Sequence, residues 1–274
     1  MGENQSESVR SVERATRIIQ VVADAGVDGC RFTTIVNDSE LSKTTTHRIL
    51  GTLVNLGWLE QSEDESVYYL GLPLVPIGFK AANRHGIVDL AAPHLERLAE
   101  LTGDTLYLVV RIGDKALCID RHVGDYPIKT TLIRVGDYRS LGTCGGSLAL
   151  LTGQPQDLIE ELILSASKED GLSQNQDFAK LPFLIEQSQQ LGYSTAPRIW
   201  IDGAGGIGVP VLGADGAAVA AISLEAIDAR LEEPRRSQLV RWMQQEATEL
   251  SEKFKMINSE FGQSDIRRLL YSAL

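Results

Sequence analysis

The sequence predicts an α+β fold, with a winged helix-turn-helix at the N-terminus and a mixed domain of strands and helices after it. Three observations indicate this fold. Residues 33–71 have the pattern of two short helices followed by a β-ribbon. A helical pattern over 76–101 comes next. Strand-like segments and helices then follow up to a long C-terminal helix, which is typical of an α+β domain.

The first predicted helix covers residues 8–25. Thr33 or Thr34 is expected to cap a short second helix, and a turn at 38–40 separates it from the third. The first helix is predicted from apolar residues that recur at helical spacing, namely Val12, Ala15, Ile18, Ile19 and Val22.

The third predicted helix is the best defined element of the N-terminal part. Ser42 occupies its N-cap position, and Gly57 ends it. Residues 58–60 and 67–70 are the expected wing strands, on either side of a polar turn at 62–66. The buried stripe of this helix is predicted to consist of Ile49, Leu50, Leu53 and Leu56.

The rest of the sequence predicts a linker and a second domain. The helical pattern after residue 76 is broken near Gly86 and Pro93. Strands are expected at 105–111, 116–121, 128–133, 207–212 and 217–224, and helices near 146–152, 156–164, 178–191 and from about 233. The predicted divisions are a first domain at 1–75, a linker helix at 76–90, a second domain at 91–262 and a C-terminal tail at 263–274.

The charge of the chain excludes one class of nucleic-acid-binding protein. The net charge is −11, and residues 1–75 hold 11 acids against 6 Lys and Arg. A protein that coats DNA without sequence preference needs cations over its whole surface. Residues 41–59 nevertheless contain no acid, and Lys43, His47 and Arg48 lie there. The sequence therefore predicts one cationic face on an acidic body.

Several other features predict an intracellular protein with reduced thiols and no metal site. No segment approaches the ~18 apolar residues of a membrane span, and the N-terminus lacks a signal or transit composition, so we expect a cytoplasmic protein with no membrane partner. Cys30, Cys118 and Cys144 form no CxxC pair, which favours reduced thiols. The histidines show no HxxxH or HxH spacing, so we expect no metal.

Two motifs resemble catalytic or cofactor signatures. Gly203, Gly205 and Gly208 match GxGxxG, but a strand with Pro210 follows them in place of a helix. We therefore expect no nucleotide and no other cofactor.

Cys144 lies in a GxCxG sequence, which raises the alternative of a Cys144-dependent hydrolase. All four histidines precede Cys144, so the α/β-hydrolase order is impossible, and only His94 or His122 remains as a base in another order. A small apolar residue in a loop is the simpler interpretation of Cys144. A winged-helix module for protein interaction is a second alternative, which the acidic surface would suit.

Six segments of the chain follow one family pattern. They are SVERATRIIQVVAD, LSKTTTHRILGTLVNLGWLE and YYLG in the first part, and PHLERLAELTGDTLYLVV, LGTCGGSLALLTG and GYSTAPRIWIDGAGGIGVPVLGADGAAVAAISLEAIDARL in the second. In them the chain resembles the IclR family of bacterial transcription regulators over residues 9–257. The resemblance implies a winged helix-turn-helix joined by a helix to a GAF-like effector-binding domain.

The same resemblance implies a function. Members bind double-stranded DNA at palindromic operators as homodimers or dimers of dimers, and they respond to small organic effectors. We therefore expect a sequence-specific transcription regulator and not an enzyme, with a repressor of a catabolic operon favoured.

Matched onto this sequence, the family pattern implies a DNA-reading surface around the third helix. Arg48 is the strongest candidate because a guanidinium can pair with guanine or phosphate. The alternative for Arg48 is a solvated surface cation, and a lone helical histidine such as His47 more often packs or caps. The implied DNA-binding residues are Arg14, Thr33, Ser42, Lys43, Thr44, Thr45, His47 and Arg48.

The resemblance also implies an effector pocket, in which this chain departs from the pattern. Ala196 replaces an acidic residue and Gly206 replaces a cysteine of members that bind small keto acids, while Glu225 replaces a short hydroxyl. We therefore expect a larger effector with an aromatic or amine-bearing part, although Arg198 could still pair with a carboxylate. Strand alternation predicts that Ser223 and Glu225 face the same way. The implied effector-binding residues are Leu141, Thr143, Cys144, Gly145, Ala196, Arg198, Gly206, Ile207, Ser223 and Glu225.

Overall fold

The computed structural model describes residues 9–63, 66–82, 86–130, 133–166, 180–195 and 203–261. By its internal contacts the chain divides into two compact units, with the boundary between Ala81 and Ala82. In these described ranges no helix has the length and apolar character needed to cross a bilayer. The predicted tail at 263–274 lies outside the described residues.

The first unit combines a helix-turn-helix with a small sheet. Its helices are α1 (Arg10–Asp24), α2 (Phe32–Ser39), α3 (Lys43–Asn55) and α4 (Leu74–Ala82). Its strands are β1 (Cys30–Arg31), β2 (Leu59–Gln61) and β3 (Val67–Leu70), which form an antiparallel sheet in the order β1-β3-β2. The predicted wing is therefore confirmed, with residues 64–65 of its turn outside the described residues.

A compact apolar core holds the first unit together. Val12 and Leu56, predicted as part of the apolar stripes, are instead 62% and 63% exposed. Val12 lies in the first turn of α1, and Leu56 is the C-cap residue beyond the last turn of α3. The side chains that form the core are Ile18, Val22, Cys30, Ile35, Leu50, Leu53, Leu59 and Tyr68.

The expected cap of α2 is wrong. This helix begins at Phe32, and its N-cap is Arg31, which makes no side-chain capping bond. Arg31 is held in an extended conformation because β1 pairs it with Val67 of β3. The two-residue strand thus moves the start of the helix ahead of Thr33 and Thr34.

The second unit is built around one antiparallel sheet. Its strands are β4 (Thr105–Ile112), β5 (Lys115–Val123), β6 (Tyr138–Ser140), β7 (Ser194–Thr195), β8 (Ala204–Leu212) and β9 (Ala218–Ile227), in the order β6-β5-β4-β9-β8-β7. Its helices are α5 (Ile87–Thr102), α6 (Gly145–Ala149), α7 (Gln156–Ala166), α8 (Leu181–Leu191) and α9 (Arg235–Phe261). Together with the first unit, this architecture confirms the predicted α+β class.

The two faces of this sheet carry different helices. Leu106 and Leu108 of β4 pack in the apolar cluster formed with α5 and α9. Tyr107 and Val109, which alternate with them, belong to the cluster formed with α6, α7 and α8. The sheet is therefore buried on both faces, and the side chains of its central strands are enclosed.

Two predictions for the second unit are wrong. Residues 128–130 are not a strand, residues 131–132 lie outside the description, and the edge strand is Tyr138–Ser140. Pro93 does not break the helix, since α5 continues through it from Ile87 to Thr102. A proline removes one helical hydrogen bond, and the burial of Leu95 and Leu98 against the sheet offsets this loss.

Candidate functional site

The N-terminus of α3 is fixed by Ser42. Its Oγ accepts the backbone N–H of Thr45 at 3.3 Å and lies 2.9 Å from the Thr45 hydroxyl. Thr46 is buried, and its hydroxyl donates to the carbonyl oxygen of Ser42 at 3.1 Å. The predicted N-cap is confirmed, and these bonds hold the first turn of the helix in one conformation.

The outer side of α3 carries the predicted cations. Lys43, Thr44, His47 and Arg48 are exposed, and Thr45 is half-buried. Within the described ranges, the charges of Lys43 and Arg48 are not neutralised by an ion pair. Exposed cations and hydroxyls at the start of a helix are the groups that contact phosphates and base edges in a DNA groove.

The other predicted DNA-binding residues lie on neighbouring helices. Arg14 of α1 and Thr33 of α2 are both exposed. The imidazole of His47 packs edge-on against the ring of Phe32, with 6.3 Å between the ring centroids. His47 therefore has a packing role as well as an exposed position.

Arg17 of α1 takes part in this surface, although the sequence did not single it out. Its Nη1 donates to the carbonyl oxygen of Ser39 at 3.2 Å and lies 3.5 Å from the carboxylate of Glu40. Glu40 has a left-handed backbone with φ of 56°, in the turn between α2 and α3. Arg17 thus ties α1 to the turn that precedes the exposed helix.

In the second unit, the first residues of α6 pack directly onto the strands. The N–H of Gly146 donates to Ser223 Oγ at 3.1 Å, and Ser194 Oγ donates to the carbonyl oxygen of Gly145 at 2.6 Å. A Cβ on Gly146 would lie 2.7 Å from Cγ2 of Val109 and 2.9 Å from Cβ of Ser223. Glycine is needed here because a larger residue would push α6 away from the sheet.

Polar side chains meet on this face of the sheet. Ser223 and Glu225 of β9 point the same way, as strand alternation predicts. Gly206 pairs opposite Glu225, and Gly208 opposite Ser223. Tyr107 of β4 pairs with Ser223 from the other side. Each of these two side chains of β9 therefore has a glycine opposite it on β8, and the backbone of Gly145 packs against both glycines.

Glu225 is buried without full hydrogen bonding. Glu225 is only 5% exposed, and its Oε2 has no hydrogen-bond partner among the described residues. Burial raises the pKa of Glu225 to about 7, while Arg139 and the Tyr107 hydroxyl act in the opposite direction. Near neutral pH this carboxyl group therefore exchanges between its charged and neutral forms.

Cys144 has the environment of a structural thiol. It is the N-cap residue of α6, and its Sγ lies 3.3 Å from Ser147 Oγ. Burial, together with the charge of Glu225, raises the pKa of the thiol. The candidate bases are engaged elsewhere, since His94 contacts Glu246 and His122 contacts Asp120.

The remaining predicted effector-site residues do not all lie in the same part of the second unit. Leu141 is buried in the cluster with α6 to α8, and Thr143 is buried with its hydroxyl donating to the Ser140 carbonyl oxygen at 2.7 Å. Ile207 is buried, and its side chain packs in the opposite cluster with α5 and α9. Ala196 and Arg198 lie outside the described residues.

The helix pair α5 and α9 holds a polar network that the sequence did not predict. His94 is fully buried, with Nδ1 2.5 Å from Glu246 Oε2 and Nε2 2.8 Å from Lys253 Nζ. Arg97 also contacts Glu246, at 2.6 Å. Ligand atoms of His94, Glu246 and Glu249 come within 4.8 Å of one another. Because the ammonium of Lys253 and the guanidinium of Arg97 already balance the acids, the arrangement is that of an ion-pair network.

A surface cleft of about 370 Å³ lies elsewhere in the second unit. It is bordered by Gly206 and Ile207 of β8 and by residues before and within the start of α9, including Leu231 and Arg236. Tyr107, Ser223 and Glu225 do not line it. The cleft therefore shares Gly206 with the polar face, but the polar side chains of that face do not line it.

Comparison with known proteins identifies both units. Residues 11–63 match the model of the IclR helix-turn-helix domain, and residues 79–252 match that of the bacterial transcriptional regulator IclR C-terminal domain. The chain is 28% identical to the HTH-type transcriptional regulator BhcR of Paracoccus denitrificans, over 92% of this chain and 89% of that protein. It is 26% identical to the HTH-type transcriptional repressor AllR of Escherichia coli K12, over 84% of each chain.

Solved structures have the same fold. A transcriptional regulator from Alicyclobacillus acidocaldarius matches with a TM-score of 0.77 at 20% identity, over 89% of this chain and 98% of that one. An IclR homolog from Microbacterium hydrocarbonoxydans, complexed with 4-hydroxybenzoate, matches with a TM-score of 0.73 at 23% identity, over 90% of this chain and 99% of that one.

The matched proteins are DNA-binding regulators and not enzymes, which sets aside the Cys144-dependent hydrolase. The two family models together cover the helix-turn-helix and most of the second unit. The chain belongs to the IclR family of bacterial transcriptional regulators and, through its helix-turn-helix, is a DNA-binding transcription regulator.

Proposed function

We propose that the chain represses a catabolic operon by binding a palindromic operator, and that a small organic effector bound in the second unit controls this binding. The exposed cations at the start of α3, which form no ion pair with other described residues, are the observation that carries the DNA-reading part of the proposal. Repression is proposed because a relative is named a repressor. Such a regulator would act in the cytoplasm, where its DNA lies.

In this proposal α3 enters the major groove. Arg48 contacts a guanine edge or a phosphate, and Lys43 and Thr44 contact the backbone at the N-terminus of the helix. Ser42 holds that terminus through its bonds to Thr45. Arg14 and Thr33, exposed on the neighbouring helices, provide further phosphate contacts. The acidic remainder of the unit limits binding to this one surface.

The effector is proposed to bind on the polar face of the second unit. Glu225, Ser223, Gly206 and the loop at Cys144 and Gly145 meet there. We propose that glycine at position 206, in place of the cysteine of keto-acid-binding members, lets this site take a group larger than a keto acid. The structural neighbour complexed with 4-hydroxybenzoate supports an aromatic ligand of this size. Ala196 and Arg198, which lie outside the described residues, are also proposed to contact the effector.

We propose that α4 contributes to a homodimer, or to a dimer of dimers. This helix has the sequence LVPIGFKAA, and its apolar residues lie at the surface of the single chain. Phe79 is 65% exposed, and Val75 and Ile77 are also exposed. A cluster of exposed large apolar side chains is typical of an interaction surface. A second copy is the favoured partner because a two-fold dimer fits a palindromic operator.

Effector control requires that the effector bind the DNA-bound and free arrangements with unequal affinity. Along the chain, helix α4 lies at the boundary between the two units. In this proposal α4 transmits a conformational change in the second unit and so alters the spacing between the α3 helices of the two protomers. Half-sites separated by whole turns of DNA are then expected.

Footprinting on the chain's own upstream DNA tests this proposal. Two protected half-sites with two-fold symmetry are expected at low salt, and addition of aromatic acids and amines should identify a compound that releases them. Absence of protection on that DNA, with dimerisation intact, would overturn the proposed operator.

A further inference from the structure

The hydroxyl group of Tyr107 lies between two acceptors inside the second unit. Tyr107 is fully buried, and its hydroxyl donates to the carbonyl oxygen of Thr130 at 3.0 Å. The same hydroxyl is a side-chain hydrogen-bond partner of Glu225, which is also buried. A tyrosine hydroxyl has one proton, so it can donate to only one of these two groups at a time.

The charge of Glu225 decides which group receives that proton. The carbonyl oxygen of Thr130 can only accept, so in the structure the proton of Tyr107 lies on the side of Thr130. Towards Glu225 the Tyr107 oxygen is then an acceptor, and Glu225 can donate to it only as a neutral carboxylic acid. A charged Glu225 has no proton and instead needs the proton of Tyr107. The charged form of Glu225 therefore competes with Thr130 for the same donor.

Both forms of Glu225 are populated near neutral pH. Its Oε2 has no hydrogen-bond partner among the described residues, and the nearby Cys118 thiol donates to the carbonyl oxygen of Asp120 at 3.5 Å. Burial raises the pKa of Glu225 to about 7, although the charge of Arg139 and the hydroxyl of Tyr107 oppose this effect. The competition for the Tyr107 proton is therefore decided between about pH 6 and pH 8.

Thr130 depends on Tyr107 for its attachment to the sheet. It is the last residue of the described segment 124–130, which follows β5. At the start of this segment the N–H of Gly124 donates to the carbonyl oxygen of Asp104 at 3.0 Å, a backbone bond that no proton on a side chain affects. At its end Thr130 is held by the bond from Tyr107, while its own buried hydroxyl has no partner within the described ranges.

We propose that Tyr107 is a proton-dependent switch, which holds Thr130 while Glu225 is neutral and turns to Glu225, releasing Thr130, when Glu225 loses its proton. The proton leaves to solvent, and the Tyr107 hydroxyl keeps its own proton and changes only the acceptor to which it donates. This inference goes beyond the proposed function, since it concerns the free chain and requires neither DNA nor effector.

The surroundings of the pair leave Glu225 as the group that titrates. Burial and the charge of Glu225 raise the pKa of Tyr107 above its ordinary value, so Tyr107 keeps its proton in this pH range. The helices α7 and α8 contribute apolar side chains to this face, and β8 places Gly206 opposite Glu225. The charged and titratable groups around the pair on the other elements are Arg111 on β4, Cys118, Asp120 and Arg121 on β5, Asp137 before β6, Arg139 on β6 and Cys144 before α6.

The test begins with NMR titration of the full chain from pH 5 to pH 9. Carbon-13 labels at the glutamate carboxyl group and at the tyrosine Cζ report the two partners. Glu225→Gln and Tyr107→Phe assign the signals, because each variant removes one of them. Glu161→Gln, at an exposed position of α7, is the matched control for the loss of one carboxyl group. Circular dichroism establishes that the variants fold.

We expect the Glu225 signal to titrate near pH 7 and the Tyr107 signal to shift with the same midpoint. Tyr107→Phe should raise the midpoint of Glu225, because the charged form loses its donor. A Glu225 that stays charged down to pH 5 would overturn the inference, and so would a Tyr107 signal that does not move with it. The wild-type titration alone suffices for this decision, even where a variant does not fold.

Trypsin cleavage after Lys129 measures the release of Thr130. Lys129 is exposed, and normalisation to a peptide substrate removes the pH dependence of the protease itself. The charged fraction of Glu225 rises about tenfold from pH 6 to pH 8, so cleavage of the wild type should rise by about the same factor. Glu225→Gln, whose amide still donates to Tyr107, should be cleaved slowly at both values. Tyr107→Phe should be cleaved rapidly at both, and Glu161→Gln should follow the wild type.

Two results of the cleavage experiment would contradict the switch. One is a wild-type rate that does not change between pH 6 and pH 8. The other is a rise in Glu225→Gln equal to that of the wild type, since another group would then control Thr130.

Discussion

Nδ1 of His94 on α5 lies 2.5 Å from Oε2 of Glu246 on α9, inside the contact between the two helices. Burial alone would raise the pKa of Glu246, but hydrogen bonds from Arg97 and His94 outweigh it, so the pKa lies below its ordinary value. The charged form of Glu246 thus stabilises the helix pair, with Lys253 at the far side of the imidazole.

Replacing Glu246 should therefore destabilise the second unit. Glu246→Gln removes the charge that Arg97 and His94 bind. We expect the free energy of unfolding to fall by about 2 kcal/mol, because the loss of a largely buried partner is costly and the partial exposure of Arg97 to water reduces that cost. Urea unfolding measures this change in free energy. Glu252→Gln, on the same helix in an exposed pair, is the control and should change stability little.

The same pair gives a defined pH dependence. Since the pKa of Glu246 is lower in the folded state than in the unfolded state, its contribution is present above the unfolded value of roughly 4.3 and is lost as the pH falls through the folded value. The stability difference between wild type and Glu246→Gln should thus shrink on acidification below pH 4. A difference that grows there would contradict the assignment.

Ser42 is expected to matter for both stability and DNA binding. Ser42→Ala removes the side-chain acceptor of the Thr45 N–H, and such caps contribute about 1 kcal/mol. Thermal unfolding should show this loss, and Ser42→Asp, which keeps an acceptor, should restore stability. The aspartate should nevertheless weaken operator binding, because it places a negative charge at the proposed phosphate-contacting end of α3.

The exposed apolar side of α4 is expected to hold two chains together. Phe79→Glu introduces a charge into the proposed interface, and sedimentation velocity should detect a shift from dimer towards monomer. Lys80→Glu, at the adjacent exposed position, is the matched control for added negative charge. An unchanged dimer in Phe79→Glu would place the interface elsewhere.

The thiols are expected to be inert in the folded chain. Burial raises the pKa of Cys118 to about 12 and also raises that of Cys144, so little thiolate is present at pH 8. A disulfide reagent should modify these thiols slowly until denaturant is added. Rapid reaction of Cys144 in the native chain would contradict this description.

Local patterns in the sequence predicted the elements whose causes are local. The cap at Ser42 and the alternation of Ser223 with Glu225 depend on residues a few positions apart, and both have the predicted geometry. The start of α2 was missed because β1 is only two residues long and depends on pairing with β3.

Contacts between distant residues could not be predicted in this way. His94 and Glu246 are 152 positions apart, and no spacing in the sequence indicates that α5 and α9 bring them together. The pKa of Glu225 likewise depends on Tyr107 of β4 and Arg139 of β6, which are distant from it in the sequence. Alternation along β9 places Ser223 and Glu225 on one face of the sheet. Alternation along β8 places Ile207 on the opposite face.

The most direct test of the account is the affinity of the chain for its own operator, measured by fluorescence anisotropy for wild type, Arg48→Ala and Arg241→Ala. Arg241 is an exposed arginine of α9 in the second unit, so it controls for the change in net charge. We predict that Arg48→Ala weakens binding by roughly 5- to 150-fold, corresponding to the loss of about 1–3 kcal/mol, while Arg241→Ala binds as the wild type does. Equal affinity of all three proteins would contradict the assignment of α3 as the DNA-reading helix.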